Sequence, residues 1–188
     1  NDRIAVATAG EASFNRILRI FGHEAVDFPE KPKVIIFGAS LIGTRLAKAW
    51  QRAGASVTVV EKDLQLASNI AGSDIGDLPG IEIIHGDHLD KELLSEIEIS
   101  SMDIAISALD NDHGSIAAAL LAIDMGVERT GLILYDADLV SVVRRMGITF
   151  AVDRKRVAID AMLSRIHSEL PGPYAVLSSV PDVVGICL

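Results

Sequence analysis

Val34-Ile35-Ile36-Phe37-Gly38-Ala39-Ser40-Leu41-Ile42-Gly43 is the stretch on which the fold turns. Four consecutive apolar residues predict a strand covered on both faces, the habit of a parallel sheet. A helical pattern follows, with Leu46, Ala47, Trp50 and Ala53 on one face and Gly54 as terminator. In such a strand–turn–helix unit the first glycine makes the turn and the second lets a pyrophosphate approach the backbone. The third lets the helix pack close to the strand. Gly38 and Gly43 hold the first and third places, and Ser40 holds the second. The N-terminus of this helix, read as 44–53, offers unpaired N–H groups and partial positive charge to a phosphate. Ser40 adds a Cβ where room is needed, together with a hydroxyl able to donate to a phosphate oxygen.

Outward from this unit, short β-branched runs alternate with helical stretches. Val57-Thr58-Val59-Val60 predicts a second strand, and further strands fall at 81–84, 104–108, 132–135 and 148–152. Helices are expected at 63–71, 90–97, 115–125 and 138–146, with a turn-rich segment at 72–80. This alternation predicts an α/β fold, a Rossmann-like doubly wound six-stranded parallel sheet with a C-terminal crossover helix. Glu61 ends the second strand eighteen residues past Gly43. An acid about 20 residues beyond the glycines accepts hydrogen bonds from the adenosine ribose. A carboxylate there repels a 2′-phosphate, which disfavours NADP even with Lys62 alongside. A strand-end acid that merely faces solvent is the plainer account of Glu61.

Ligands of doubly wound sheets lie outside the carboxyl ends of the strands. That rule places Asp87 and His88 near an adenine, and Ala108, Leu109 and Asp110 near the phosphates or a second ribose. Asp87 fits a helix cap equally well. His85, Asp87, His88 and Asp90 lack the helical His-x-x-x-His spacing of zinc enzymes, so strand-end capping and surface histidines are preferred to a metal site.

No proton-handling set accompanies the candidate cleft. Tyr135 and Tyr174 are followed four residues later by Leu139 and Ser178, where a lysine would mark a short-chain dehydrogenase, and no Gly-x-Ser-x-Gly elbow is present. Cys187 is a poor nucleophile candidate. Catalysis is not expected.

The 188 residues make about one and a quarter typical domains, and 49% hydrophobic residues suffice for a sizeable core. Lys+Arg 17 against Asp+Glu 26 leaves a net charge of −9, which argues against nucleic acid and against an anionic membrane surface as partners. A single cysteine excludes an internal disulfide framework. The longest apolar run, 116–123, stops at Asp124, far short of the roughly 20 residues a membrane span needs. The chain reads as soluble and intracellular, and its start at Asn1, not a methionine, is expected to reflect processing, a tag or excision from something longer. Arg154-Lys155-Arg156 opens a helix where cations oppose the macrodipole, which suits either an acidic partner surface or a solvated basic turn.

In order and spacing, VIIFGASLIGTR (34–45), VTVVEKD (57–63), HGDHLDKELL (85–94), MDIAISALDNDHGSIAAALL (102–121) and LVSVVRRMGITFAV (139–152) resemble the RCK/KTN regulatory domains of potassium channels and transporters, the TrkA type in particular. The resemblance spans 33–169. It implies a non-enzymatic nucleotide sensor that gates a potassium transporter or channel, with NAD or NADH, or alternatively ATP, ADP or AMP, as ligand. It further implies a homodimer through helix 156–169, assembly into a ring, and a cytoplasmic location beside a membrane partner. By the same resemblance Gly38, Ser40, Leu41, Ile42 and Gly43 face phosphate, Glu61 the ribose, and Asp87 with His88 the adenine. Ser40, Ser115 and Ile133 depart from the family pattern. Residues 1–32 are similar to the end of a preceding TrkA-C-like domain plus a linker, and 170–188 to a linker and the start of a following one. An NAD-dependent oxidoreductase domain without its catalytic partner, and a copy that binds nothing, stay open beside this reading. The candidate strands at 175–188 are expected to have nothing of their own to pair with.

Overall fold

Val34 and Ile36 face one side of the first strand and Ile35 and Phe37 the other, and all four are fully buried. This double burial is what the unbroken apolar run demands, because helices cover both faces of the sheet. The computed structural model describes residues 29–167, 174–176 and 184–186. Residues Pro29–Ile159 form one compact unit, and the chain from Asp160 belongs to another.

In chain order the elements are β1 (Lys33–Phe37), α1 (Leu41–Arg52), β2 (Ser56–Glu61), α2 (Leu64–Ala71), β3 (Ile81–His85) and α3 (Lys91–Glu96). They continue with β4 (Ile104–Ser107), α4 (Asp112–Asp124), β5 (Arg129–Leu134), α5 (Ala137–Arg145), β6 (Phe150–Asp153) and α6 (Arg154–His167). The six strands are all parallel in the order β3-β2-β1-β4-β5-β6, which is the Rossmann-like doubly wound arrangement. The order reverses between β1 and β4, so the crevice at the switch point opens there.

One core lies between β1, β2 and β4 and the helices α1 and α2, where Ala47, Ala55 and Ile70 meet Val34, Ile36, Val57 and Val59. The opposite face packs Ile35, Phe37 and Val60 against Leu94 of α3 and Ala118 and Ala122 of α4. The alanines of α4 let it lie close to the sheet, and α5 closes the far end through Val143 against Leu132, Leu134 and Ala151.

Several boundaries differ from the pattern in the sequence. Helix α1 starts at Leu41, three residues ahead of the expected start, because Gly43 lets its first turn settle onto the Gly38 carbonyl. Strand β5 begins at Arg129, because Ile104 and Ala105 of β4 pair with Arg129 and Thr130 ahead of the apolar run. Ile148 stays out of β6, its N–H bonding back to Val143 O at 3.4 Å. The segments Tyr174–Val176 (β7) and Val184–Ile186 (β8) pair with each other, antiparallel. That corrects the expectation that strands in this region have no partner of their own; antiparallel strands close in sequence are joined by a simple chain reversal. Residues 1–28 of the segment read as the end of a preceding domain, and Cys187, lie outside the described residues.

Candidate functional site

At the C-terminal end of β1 the sheet's hydrogen bonding runs past the strand ends. Gly38 N–H donates to Val60 O and Ala108 N–H donates to Phe37 O, both at 2.9 Å. This pins the turn after β1 between the ends of β2 and β4. Gly38 has φ +98°, and a Cβ there would lie 3.0 Å from both Ala108 O and Leu109 Cδ2, so glycine is required twice over. A Cβ on Gly43 would sit 1.9 Å from Gly38 O. The two glycines therefore keep the structural roles that the motif assigns them.

Ser40 is different. Its φ of −58° and ψ of 173° suit any residue. Its hydroxyl makes no capping bond to α1 and donates instead to Ala108 O at 3.3 Å, across the crevice between β1 and β4. The Ser40 carbonyl accepts from Thr44 N–H at 2.9 Å and from Thr44 Oγ1 at 3.0 Å, which anchors the first turn of α1. The N–H groups of Leu41, Ile42 and Gly43 lie in that first turn, where a helix has no carbonyl of its own to bond them. No acidic residue occupies the turn. Leu41 is exposed, and Ile42 packs into the core below.

Glu61 is held by the backbone on both oxygens. Oε2 accepts from Ala39 N–H at 2.7 Å and Oε1 from Asp63 N–H at 2.8 Å. A carboxylate has about four acceptor positions, so this leaves capacity for two further donors. An acceptor-only group with two open positions suits a vicinal diol, and its charge opposes a phosphate on that diol. Asp63 caps α2 by accepting from Leu66 N–H at 2.8 Å.

Gly38, Ser40, Glu61, Ala108, Leu109 and Asp110, all expected from the sequence, line one cleft of about 520 Å³. Asp63, Gln65, Leu66, Asn69 and Asn111 line it too. Residues 34–153 match the TrkA-N domain.

The chain belongs to the TrkA-N domain family.

Over 184 residues this TrkA-N chain is 26% identical to the Trk system potassium uptake protein TrkA of Azorhizobium caulinodans, covering 96% of the chain and 39% of that protein. The chain thus spans about two-fifths of the length of this relative. Among solved structures it shares its fold with the GsuK channel bound to NAD, at TM-score 0.62 and 14% identity over 85% of this chain and 34% of that one. The Kef CTD of Shewanella denitrificans in AMP-bound form gives TM-score 0.59 and 16% identity, covering 78% and 84% of the two chains.

The remaining expected residues of the TrkA-N domain stand apart from the cleft lining. Lys62 Nζ reaches Asp87 Oδ2 at 2.6 Å, and Asp87 Oδ1 accepts from Leu89 N–H at 2.9 Å. The Lys62 ammonium, then the Leu89 N–H, hold the Asp87 carboxyl below the usual range. Asp87 therefore bonds within its own loop and to Lys62 and does not cap the next helix, the alternative that the sequence allowed, because Asp90 holds that position. His88 turns toward Phe37, with ring centroids 6.4 Å apart, and its Nδ1 is buried without a hydrogen bond. Burial pushes its pKa down, against the opposing pull of Asp87. Asp90 caps α3 through Glu92 N–H and Leu93 N–H. Among the described residues, no group of three or more His, Cys, Asp or Glu side chains is placed to hold a metal ion.

The residues that sequence reasoning missed lie mostly on α2. Gln65 and Asn69 are four apart on one helix face directly after the candidate ribose acid, and that spacing was the available signal. Beyond the switch point a second polar network ties the strand ends together. Asp112 accepts from Tyr135 N–H and Asp136 N–H, each at 2.9 Å, and Tyr135 Oη donates to Asp110 at 3.4 Å. Arg154 lies 4.9 Å over the Tyr135 ring and donates to its hydroxyl. The cation that opens α6 against the helix dipole is thereby held by an aromatic face. Ser115 is wholly buried in α4 with no partner for its hydroxyl.

Proposed function

We propose that this TrkA-N domain is a regulatory module of a potassium-transport system and that it binds an adenine nucleotide in the cleft between α1, α2 and the end of β4. The observation that carries the reading is Glu61. It is fixed by Ala39 N–H and Asp63 N–H, retains open acceptor positions, and lines the same cleft as the glycine turn at the α1 N-terminus. Ribose hydroxyls meet Glu61, and the phosphate meets the N–H groups of Leu41, Ile42 and Gly43. Asp87, His88 and Lys62 act at one remove, by fixing the neighbouring β3 end. The potassium uptake role of the Azorhizobium relative, and the NAD and AMP held by the two structural neighbours, support both halves of this reading.

The module senses rather than catalyses. A nucleotide that binds one arrangement of the assembly better than another shifts the population and biases the gate of a membrane partner. No helix among the described residues is long and apolar enough to cross a membrane, so contact with the transporter runs through a partner or another part of the polypeptide. Val157, Ile159 and Met162 leave apolar surface exposed on α6, which supports dimerisation through that helix and assembly into a ring at the cytoplasmic face. Residues 1–32 and 170–188 belong to flanking domains of a tandem protein.

The test is calorimetric titration of the folded chain with NAD, NADH, ATP, ADP and AMP. Binding of at least one, lost on Glu61→Ala, is the expected result. Saturating concentrations of all five without heat would refute nucleotide binding and leave a purely structural copy of the fold.

A further inference from the structure

We propose that Ser40 makes this cleft selective for an adenine mononucleotide over a dinucleotide; the inference rests on the nucleotide reading above and narrows it. A dinucleotide on a doubly wound sheet must straddle the switch point, with one nucleoside over each half and the pyrophosphate crossing between them. Here the crossing lies between the ends of β1 and β4. The turn already abuts Ala108, since even a methyl on Gly38 would touch Ala108 O at 3.0 Å. Ser40 then spans the remaining opening through its hydroxyl bond to that same carbonyl, 3.3 Å away.

On the far side a polar network ties the strand ends together. Asp112 is committed to Tyr135 N–H and Asp136 N–H, and Tyr135 to Asp110 and Arg154. Neither Tyr135 nor Arg154 lines the cleft, whose walls come from the α1–α2 half and the first residues after β4. A second nucleoside would have to break this network as well as the Ser40 bond. A mononucleotide needs neither change, because its ribose meets Glu61 and its phosphate chain ends at α1.

Backbone strain does not dictate the residue at 40, since its φ and ψ are ordinary. Ser40→Gly therefore opens the crossing without refolding the turn, and Ser40→Ala removes the hydroxyl while keeping the Cβ. The experiment is calorimetric titration of the 188-residue chain and both variants with ADP and with NAD. The wild type is expected to bind ADP at least about tenfold more tightly than NAD. Ser40→Gly is expected to raise the NAD-to-ADP affinity ratio by about tenfold or more, roughly what one well-placed contact is worth, and Ser40→Ala by less. Equal affinities in the wild type, or an unchanged ratio in Ser40→Gly, overturn the selectivity while leaving nucleotide binding intact. Failure of both ADP and NAD to bind any of the three proteins overturns the underlying reading instead.

Discussion

Replacing Glu61 with alanine separates what the carboxylate does for the fold from what it does for a ligand. Its Oε2 satisfies Ala39 N–H, on a residue only 1% exposed, and its Oε1 satisfies Asp63 N–H, which water can reach. Leaving the buried donor unpaired costs about 1–3 kcal/mol, whereas the exposed one rehydrates for a few tenths. The expected loss of stability is therefore about 1–3 kcal/mol, or a fall in Tm of about 3–15 °C for a domain of this size. Binding should suffer separately. Hydrogen bonds to a charged acceptor are worth about 1.5–3 kcal/mol each, so losing the ribose contacts should weaken ADP at least about tenfold. Glu61→Gln is the discriminating companion, because its amide oxygen can keep Ala39 N–H while its amide nitrogen replaces acceptor capacity with donors. It should lose only about 1 kcal/mol of stability and still bind poorly. Urea unfolding and calorimetric titration of the three proteins supply both numbers. Glu61→Ala at wild-type stability, within about 0.5 kcal/mol, would show that the carboxylate does not hold the turn. Undiminished affinity would remove it from the ribose.

Gly43→Ala should destabilise the chain by about 1–3 kcal/mol despite alanine's helical preference, since its Cβ would lie 1.9 Å from the backbone oxygen of Gly38. A gain of about 1 kcal/mol in urea, the propensity difference alone, would contradict the close packing. Burial lowers the folded pKa of His88 below the unfolded value of about 6.5, against the opposing pull of Asp87. The contribution of His88 to stability is complete above that unfolded value and is lost as pH falls through the lower folded one. Urea midpoints at pH 7.5 and pH 5.5 should differ less in His88→Asn than in the wild type, and an equal difference would mean that His88 is not the group responsible.

The local code carried much of this architecture. An unbroken apolar run such as Val34-Ile35-Ile36-Phe37 can be satisfied only with cover on both faces, and glycine is demanded at 38 and 43 by φ and by contact. Gly38, Ser40, Glu61, Ala108, Leu109 and Asp110 are accordingly expected at one edge of the sheet from the sequence, and they do share a cleft. Those inferences rest on backbone geometry and periodicity, which short segments impose on their own neighbours.

Side-chain direction rests on partners distant in the chain. Asp87 and His88 occupy the expected strand end, yet Lys62 claims one and the apolar wall beside Phe37 the other. Gln65 and Asn69 line the cleft because α2 starts directly after the acid-bearing strand. Strands β7 and β8 pair with each other, which three-residue segments cannot announce. The widest gap between motif and molecule is at Ser40. Spacing alone marks it as an imperfect middle glycine, whereas the fold brings Ala108, sixty-eight residues away, within reach of its hydroxyl. A tertiary hydrogen bond between strand ends thus decides whether the switch-point crevice stands open or bridged, because it depends on the distance between two strands that only the assembled sheet sets.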